Sequence, residues 1–254
     1  MLSQATTAGI APESKFWPLL DGVLRRREEA FAEILEGRNL SRQILLYLAA
    51  IFLLTAFYGG SMGAAGFTLT HPEEGVLMRG LLQMLASAVK VPVLYLLTTA
   101  ICFPVLYLVV VLLGSKLSFA QTFATILLAL ALNAILLASF APIIWFFTLT
   151  GSDYHFLKLL HVGIFGFSGV WAMSALWHGL SALCEKSDLY PRQAVKMLQL
   201  WILVFGFVGT QMAWTLRPFV GTPDRPFQVL RLERGGNFYE TVWQSIQHLG
   251  RQWD

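Results

Sequence analysis

The sequence predicts an all-α protein, a polytopic transmembrane bundle of five helices with an amphipathic helix near each terminus. Three observations point there. Hydrophobic residues make up 56% of the chain and charged ones only 13%, against about 25% charged in a typical soluble domain. The charges gather at the two ends and in short gaps between long apolar runs, which separates loops from spans. Both ends carry segments whose apolar residues recur at helical spacing. A mean hydropathy of +0.61 fits a single membrane domain with short extramembrane ends. The chain divides accordingly into a polar segment with an amphipathic helix (1–43), the bundle (44–217) and a polar tail with a second amphipathic helix (218–254).

Before Lys15 the composition is Ala, Thr, Ser and Pro with no basic lead into an apolar core, so no cleaved signal peptide is expected and the first span must target the chain. From Lys15 to Gly37, residues Leu20, Val23, Leu24, Phe31, Ile34 and Leu35 share one face, with Arg26, Glu29, Glu33 and Glu36 opposite. Such a helix, stopped by Gly37, is expected in the headgroup plane with Phe31 facing the interface or a partner.

The first span is 44–67, long enough at about 1.5 Å per residue to cross about 30 Å of hydrocarbon. Gly59 and Gly63, four apart, leave a bare face for close approach of another backbone, either inside the bundle or between subunits. Residues 76–89 are apolar but carry Arg79 and end at Lys90, which predicts an interfacial helix rather than a span. The second span is 91–114, with Pro92 in its first turn and Pro104 bending its middle. The third, 119–148, holds Asn133 near its centre and Pro142 near its far end; a buried Asn in lipid is expected to face the bundle and bond there. The fourth, 156–184, has Gly163, Gly166 and Gly169 at intervals of three, again a face for close packing. The fifth, 197–216, carries Trp201 and Trp214 near its ends as interfacial anchors. Past Arg217, the Arg217-Pro218-Phe219 and Arg225-Pro226-Phe227 pieces predict extended chain. Asn237 then caps a last helix whose Phe238, Tyr239, Val242, Trp243, Ile246 and Leu249 form one face, to be covered by lipid headgroups, the bundle's end or a neighbouring subunit.

With five spans and a cytoplasmic N-terminus, ten of the eighteen Lys and Arg residues fall on the cytoplasmic side; the cluster at Arg25, Arg26 and Arg27 supports that orientation, while the arginines of the tail oppose it. Arg in excess of Lys, with abundant Ala and Leu, hints at a GC-rich bacterium and hence a bacterial inner membrane. The formal charge of +3 is dispersed, so nucleic acid is not an expected partner.

Gly114, Ser115, Lys116, Ser118, Phe119 and Gln121, a short turn that restarts a helix, followed by Pro142, resemble the Yip family of small five-span membrane proteins. Glu29-Ala30-Phe31-Ala32-Glu33-Ile34 resembles the amphipathic lead-in of prokaryotic Yip-like proteins. The resemblance spans most of the membrane domain and implies a five-helix architecture. Eukaryotic members interact with Rab GTPases. Asp188-Leu189-Tyr190-Pro191 is similar to an acidic motif of those members but stands between the fourth and fifth spans rather than ahead of the first, and the tail after Arg217 departs from the pattern, so no Rab partner carries over.

Catalytic patterns are absent. The glycine-rich run 59–66 continues an apolar helix and lacks the Lys-Ser or Lys-Thr ending of a phosphate loop. Cys102 and Cys184 have no metal-type spacing. His161 and His178 are the candidate cofactor residues, but seventeen positions separate them, about 25 Å along a helix, so they cannot share one metal. Each is either a single axial ligand to a pigment or haem, or bonded within the bundle or at its rim. No enzyme, cofactor or metal is predicted; bound lipid is, along with protein partners or self-association. The functional expectation is a scaffold, anchor or accessory subunit of a membrane complex. A transporter or channel subunit, suggested by Asn133, the proline bends at Pro104 and Pro142 and the glycines of the fourth span, is the alternative, followed by a membrane-perturbing effector.

Overall fold

The computed structural model describes residues 16–25, 27–69, 75–186, 192–221, 227–231 and 236–251, and every regular element among them is helical. In chain order these are α1 (Phe16–Arg25), α2 (Arg27–Leu35), α3 (Leu40–Gly63, continued by a 3-10 turn Ala64–Phe67), α4 (Val76–Leu112), α5 (Phe119–Leu149), α6 (Tyr154–Lys186), α7 (Arg192–Leu216) and α8 (Phe238–Gly250). Helices α3 to α7 are long and apolar enough to cross a membrane, which makes five spans. Arg26, the loop His71-Pro72-Glu73-Glu74, the Asp188-Leu189-Tyr190-Pro191 motif and Arg225-Pro226 lie outside the described residues.

Helix α5 is the hub. Its most apolar stretch is 61% buried, whereas that of α7 is 11% buried. The physical cause is composition: Ala124, Ala129, Ala131, Ala134 and Ala141 give α5 small positions where neighbours approach, between large buried Ile126, Leu127, Leu130, Leu137 and Ile144.

Two features correct the sequence reading. Residues 76–89 do not form a separate interfacial helix; they are the first part of α4, which runs unbroken through both Pro92 and Pro104. Arg79 is exposed near the helix start, and Lys90 is buried and bonded to the Pro218 carbonyl, so neither charge forces a break. Nor does most of the described N-terminal amphipathic face lie open to headgroups. Val23, Phe31 and Ile34 are buried while Leu24 is exposed, and Val23 and Phe31 line one small cavity with Leu128, Ala129, Leu132, Ala172 and Leu176 of α5 and α6. Gly179 makes room for this docking, since a Cβ there would collide with the Phe31 ring.

The turn Gly114 to Gln121 is built by local rules. Gly114 ends α4 at φ +92°, with Ser115 N–H donating to Val110 and Gly114 N–H to Val111, a Schellman closure that a residue with a Cβ adopts only under strain. Ser118 then caps α5: its Oγ accepts from Gln121 N–H at 3.2 Å, and Gln121 Oε1 accepts from Ser118 N–H at 2.9 Å. Gln121 Nε2 reaches further and donates to the Leu35 carbonyl at 2.6 Å. One glutamine thus starts α5 and ties down the end of α2. The contacts of α2 with the starts of α5 and the end of α6 place the N-terminal helices on one side of the bundle, and five crossings carry the tail to the other.

Candidate functional site

Polar side chains inside the bundle form two groups. In the centre, Tyr95 of α4 donates to Asn133 Oδ1 of α5 at 3.2 Å, and Tyr58 of α3 bonds His161 Nδ1 of α6 at 2.9 Å. Phe165 stands edge-on to Tyr58, with ring centroids 5.4 Å apart, and fills the space towards Tyr95. Asn133 and His161 are 6% and 2% exposed, so these bonds replace hydration that each group gave up on burial. The remaining His161 nitrogen, Nε2, is buried and has no hydrogen-bond partner among the described residues. His178 is exposed and bonds back to the Ser174 carbonyl of its own helix. The structure therefore does not bring the two histidines together, and His161 spends Nδ1 on Tyr58.

The second group is a clamp. Gly59, Gly63 and Gly66 form a trough on α3 into which α4 presses: a Cβ at Gly59 would collide with the Ser87 carbonyl, and one at Gly63 would stand 2.6 Å from Met84 Cα. Close approach of the backbones brings Gln83, Ser87 and Lys90, which share one face of α4 at intervals of four and three, beside the irregular residues 217–221, which bend at Phe219 and Val220. Lys90 Nζ donates to the Pro218 carbonyl at 2.7 Å, Ser87 Oγ to the Phe219 carbonyl at 2.6 Å, and Gln83 Nε2 to the same carbonyl at 2.8 Å. Pro218 and Val220 are buried, the latter beside Met62 and Leu157.

The need for this clamp follows from helix length. At about 1.5 Å per residue α4 is about 55 Å long and α7 about 38 Å, so α7 stops while α4 still has more than a third of its length to run. The chain leaving α7 lies against that part without helical hydrogen bonds. Buried backbone outside regular structure persists only where protein supplies the missing partners, and three α4 side chains do so. Lys90 does not end a separate helix; it is the fifteenth of the 37 residues of α4, with its ammonium 5.8 Å from the Phe219 ring centre. The polar spacing 83, 87, 90 within an apolar helix was the signal available for this site, and reading Lys90 as the end of a separate helix concealed it.

The other predicted contact residues divide. Trp201 is not an interfacial anchor: it is 5% exposed, and its indole N–H donates to the Cys102 carbonyl at 3.0 Å, fastening α7 to α4. Trp214 is half-buried under the Arg217 guanidinium, 3.4 Å from the ring centre. Phe31 is buried inside the fold rather than facing a partner. Phe238 is half-buried and Trp243 exposed. Among the described residues a Cβ at Gly163 or Gly166 would meet nothing within 4 Å, and a Cβ at Gly169 would stand 3.8 Å from Asn133 Nδ2.

The chain has five spans, a hub helix flanked by α3 and α6, and an S-x-x-Q turn that ties the lead-in helices to α5, and its residues 22–210 match the Yip1 domain. This chain belongs to the Yip1 domain family. Yip1-domain proteins are non-catalytic multi-pass membrane proteins that act in membrane trafficking. The Yip1 family is typically found in eukaryotic Golgi and endoplasmic reticulum membranes, so the expectation of a bacterial inner membrane gains no support from it. The match ends inside α7, so the clamped segment 217–221 and α8 both lie outside the Yip1 domain. No curated protein and no solved structure matches the chain.

Proposed function

We propose that this protein is a scaffold or accessory subunit that holds a partner within the membrane as part of trafficking machinery, with its N-terminal helices on the cytoplasmic side. The observation that carries the reading is the outer face of α6. Gly163, Gly166, Phe167, Val170, Trp171 and Trp177 recur at intervals of three, four or seven and are all exposed. Glycines at Gly59, Gly63 and Gly179 are filled by the chain's own residues, whereas this glycine face is not. A bare helical face in lipid lets a second helix approach until backbones touch, and dispersion then drives association.

The transport alternative draws no comparable support, because Asn133 and Lys90, the groups it would use, are spent on Tyr95 and on the Pro218 carbonyl. Purification in mild detergent should recover a complex from native membranes, and Gly166→Leu should dissociate it while the melting temperature of the isolated subunit stays unchanged. A monodisperse monomer under several gentle conditions, or a complex indifferent to Gly166→Leu, defeats the proposal. Solute flux in proteoliposomes that is abolished by Asn133→Leu would move the assignment to transport. Cysteine labelling of intact cells at Arg38→Cys tests sidedness: protection from an impermeant reagent is expected, and labelling reverses the orientation.

A further inference from the structure

Helix α8 lies beyond the Yip1 domain, and its surroundings divide its circumference into three sectors. At about 100° per residue, Phe238, Thr241, Val242, Ser245 and Leu249 occupy one arc. This arc is against the protein: Ser245 is fully buried and the others half-buried. Next round the helix come Tyr239, Trp243 and Ile246, which are 51%, 60% and 47% exposed. Then come Glu240, Gln244 and Gln247, polar and exposed. An apolar arc that the fold leaves bare, wedged between a protein-facing arc and a water-seeking arc, is the pattern of a helix at the boundary of hydrocarbon and water.

Two contacts set its depth. Tyr239 Oη lies 3.2 Å from Thr210 Oγ1, six residues before the end of α7, so the start of α8 sits beside the last turns of a span rather than beyond them. At its other end His248 stacks on His155, in the first turn of α6, with ring centres 4.2 Å apart, and His155 Nδ1 is 3.2 Å from Ser245 Oγ. Helix α8 thus bridges the ends of two spans on the side opposite α1 and α2. Leu203, Val204 and Phe207 of α7 are exposed as well, as residues of a membrane-spanning helix that face lipid are. Tyr and Trp are the residue types that favour the headgroup level.

We infer that α8 is a lipid-binding helix, with Tyr239, Trp243 and Ile246 inserted at the boundary of headgroups and acyl chains in the leaflet opposite the N-terminal helices. The tail therefore gives this member of the family a second membrane attachment, independent of its partner-binding role.

The test uses the full chain in nanodiscs of phosphatidylcholine and phosphatidylglycerol, with Cys102 and Cys184 replaced by Ser and an environment-sensitive fluorophore on one introduced cysteine. Trp243→Cys and Ile246→Cys report the apolar arc, and Gln244→Cys the polar one. Brominated lipid is expected to quench the 243 and 246 labels several-fold more than the 244 label, with the order reversed for aqueous iodide. Equal access of iodide to all three overturns the inference. So does shielding of 243 and 246 from both quenchers, or a disulfide between Trp243→Cys chains, since protein then covers the arc. Loss of folding in one variant leaves the other apolar reporter to decide.

Discussion

Two glycine faces in this molecule look alike and behave oppositely. Gly59, Gly63 and Gly66 on α3 are pressed against Ser87, Gln83 and Gly80 of α4, while a Cβ at Gly163 or Gly166 on α6 would meet nothing within 4 Å among the described residues. Missing side chains permit close approach without requiring it. What distinguishes the α3 face is its companions. Tyr58, Thr55, Ser61 and Met62 around it are buried, and the opposing face of α4 supplies Gln83 and Ser87 for the clamp. The α6 face carries Phe167, Val170 and Trp171, all more than half exposed, which suit lipid or a partner helix. A small-residue spacing therefore predicts capacity for packing, and only the neighbouring residues decide whether the fold uses it.

The largest expected effect breaks the packed face. Gly63→Leu puts a branched side chain where a single Cβ would already stand 2.6 Å from Met84 Cα, and backbone cannot yield as a flexible side chain does. Expression should give no monodisperse protein by size-exclusion chromatography; a normally folded Gly63→Leu variant would contradict the α3–α4 packing. Phe31→Ala comes next. It empties the contact on Gly179, at a cost of about 3–5 kcal/mol for a buried Phe. The SDS denaturation midpoint should fall clearly, and no change would mean that α2 is not docked.

A smaller effect sharpens the contrast through the clamp. Lys90→Met keeps the aliphatic stem but leaves the Pro218 carbonyl one donor short, worth about 1–3 kcal/mol. Amide exchange should rise in 217–221 and stay unchanged in α5; uniform protection would show the clamp to be dispensable. The smallest effect lies on the open face. Gly163→Ala should cost nothing in packing and gain up to about 1 kcal/mol of helix propensity, seen as an equal or slightly higher midpoint. A drop in the isolated subunit would place a helix of this chain over that face.

Much of this was legible from patterns that act locally. Five spans follow from uncharged length, and the α4–α5 turn from Gly114, Ser118 and Gln121, because hydrogen bonds within a few residues decide them. Phe31 was legible as one member of an apolar stripe but not as a core residue, since the Gly179 that admits it is 148 positions away. The unbroken α4 was missed for a related reason. Lys90 reads as a boundary charge until the carbonyls of Pro218 and Phe219, more than 120 positions later, are seen to need donors.

By itself the sequence determined that this chain lives in lipid and crosses it as helices, because long uncharged segments must satisfy their own backbone groups, and it carried the match of residues 22–210 to the Yip1 domain. Tertiary structure alone decided which glycines meet a neighbour, which polar groups pair, and how the tail returns to the bundle. Those outcomes depend on residues far apart in the chain, and a spacing along one helix holds no information about what stands opposite it.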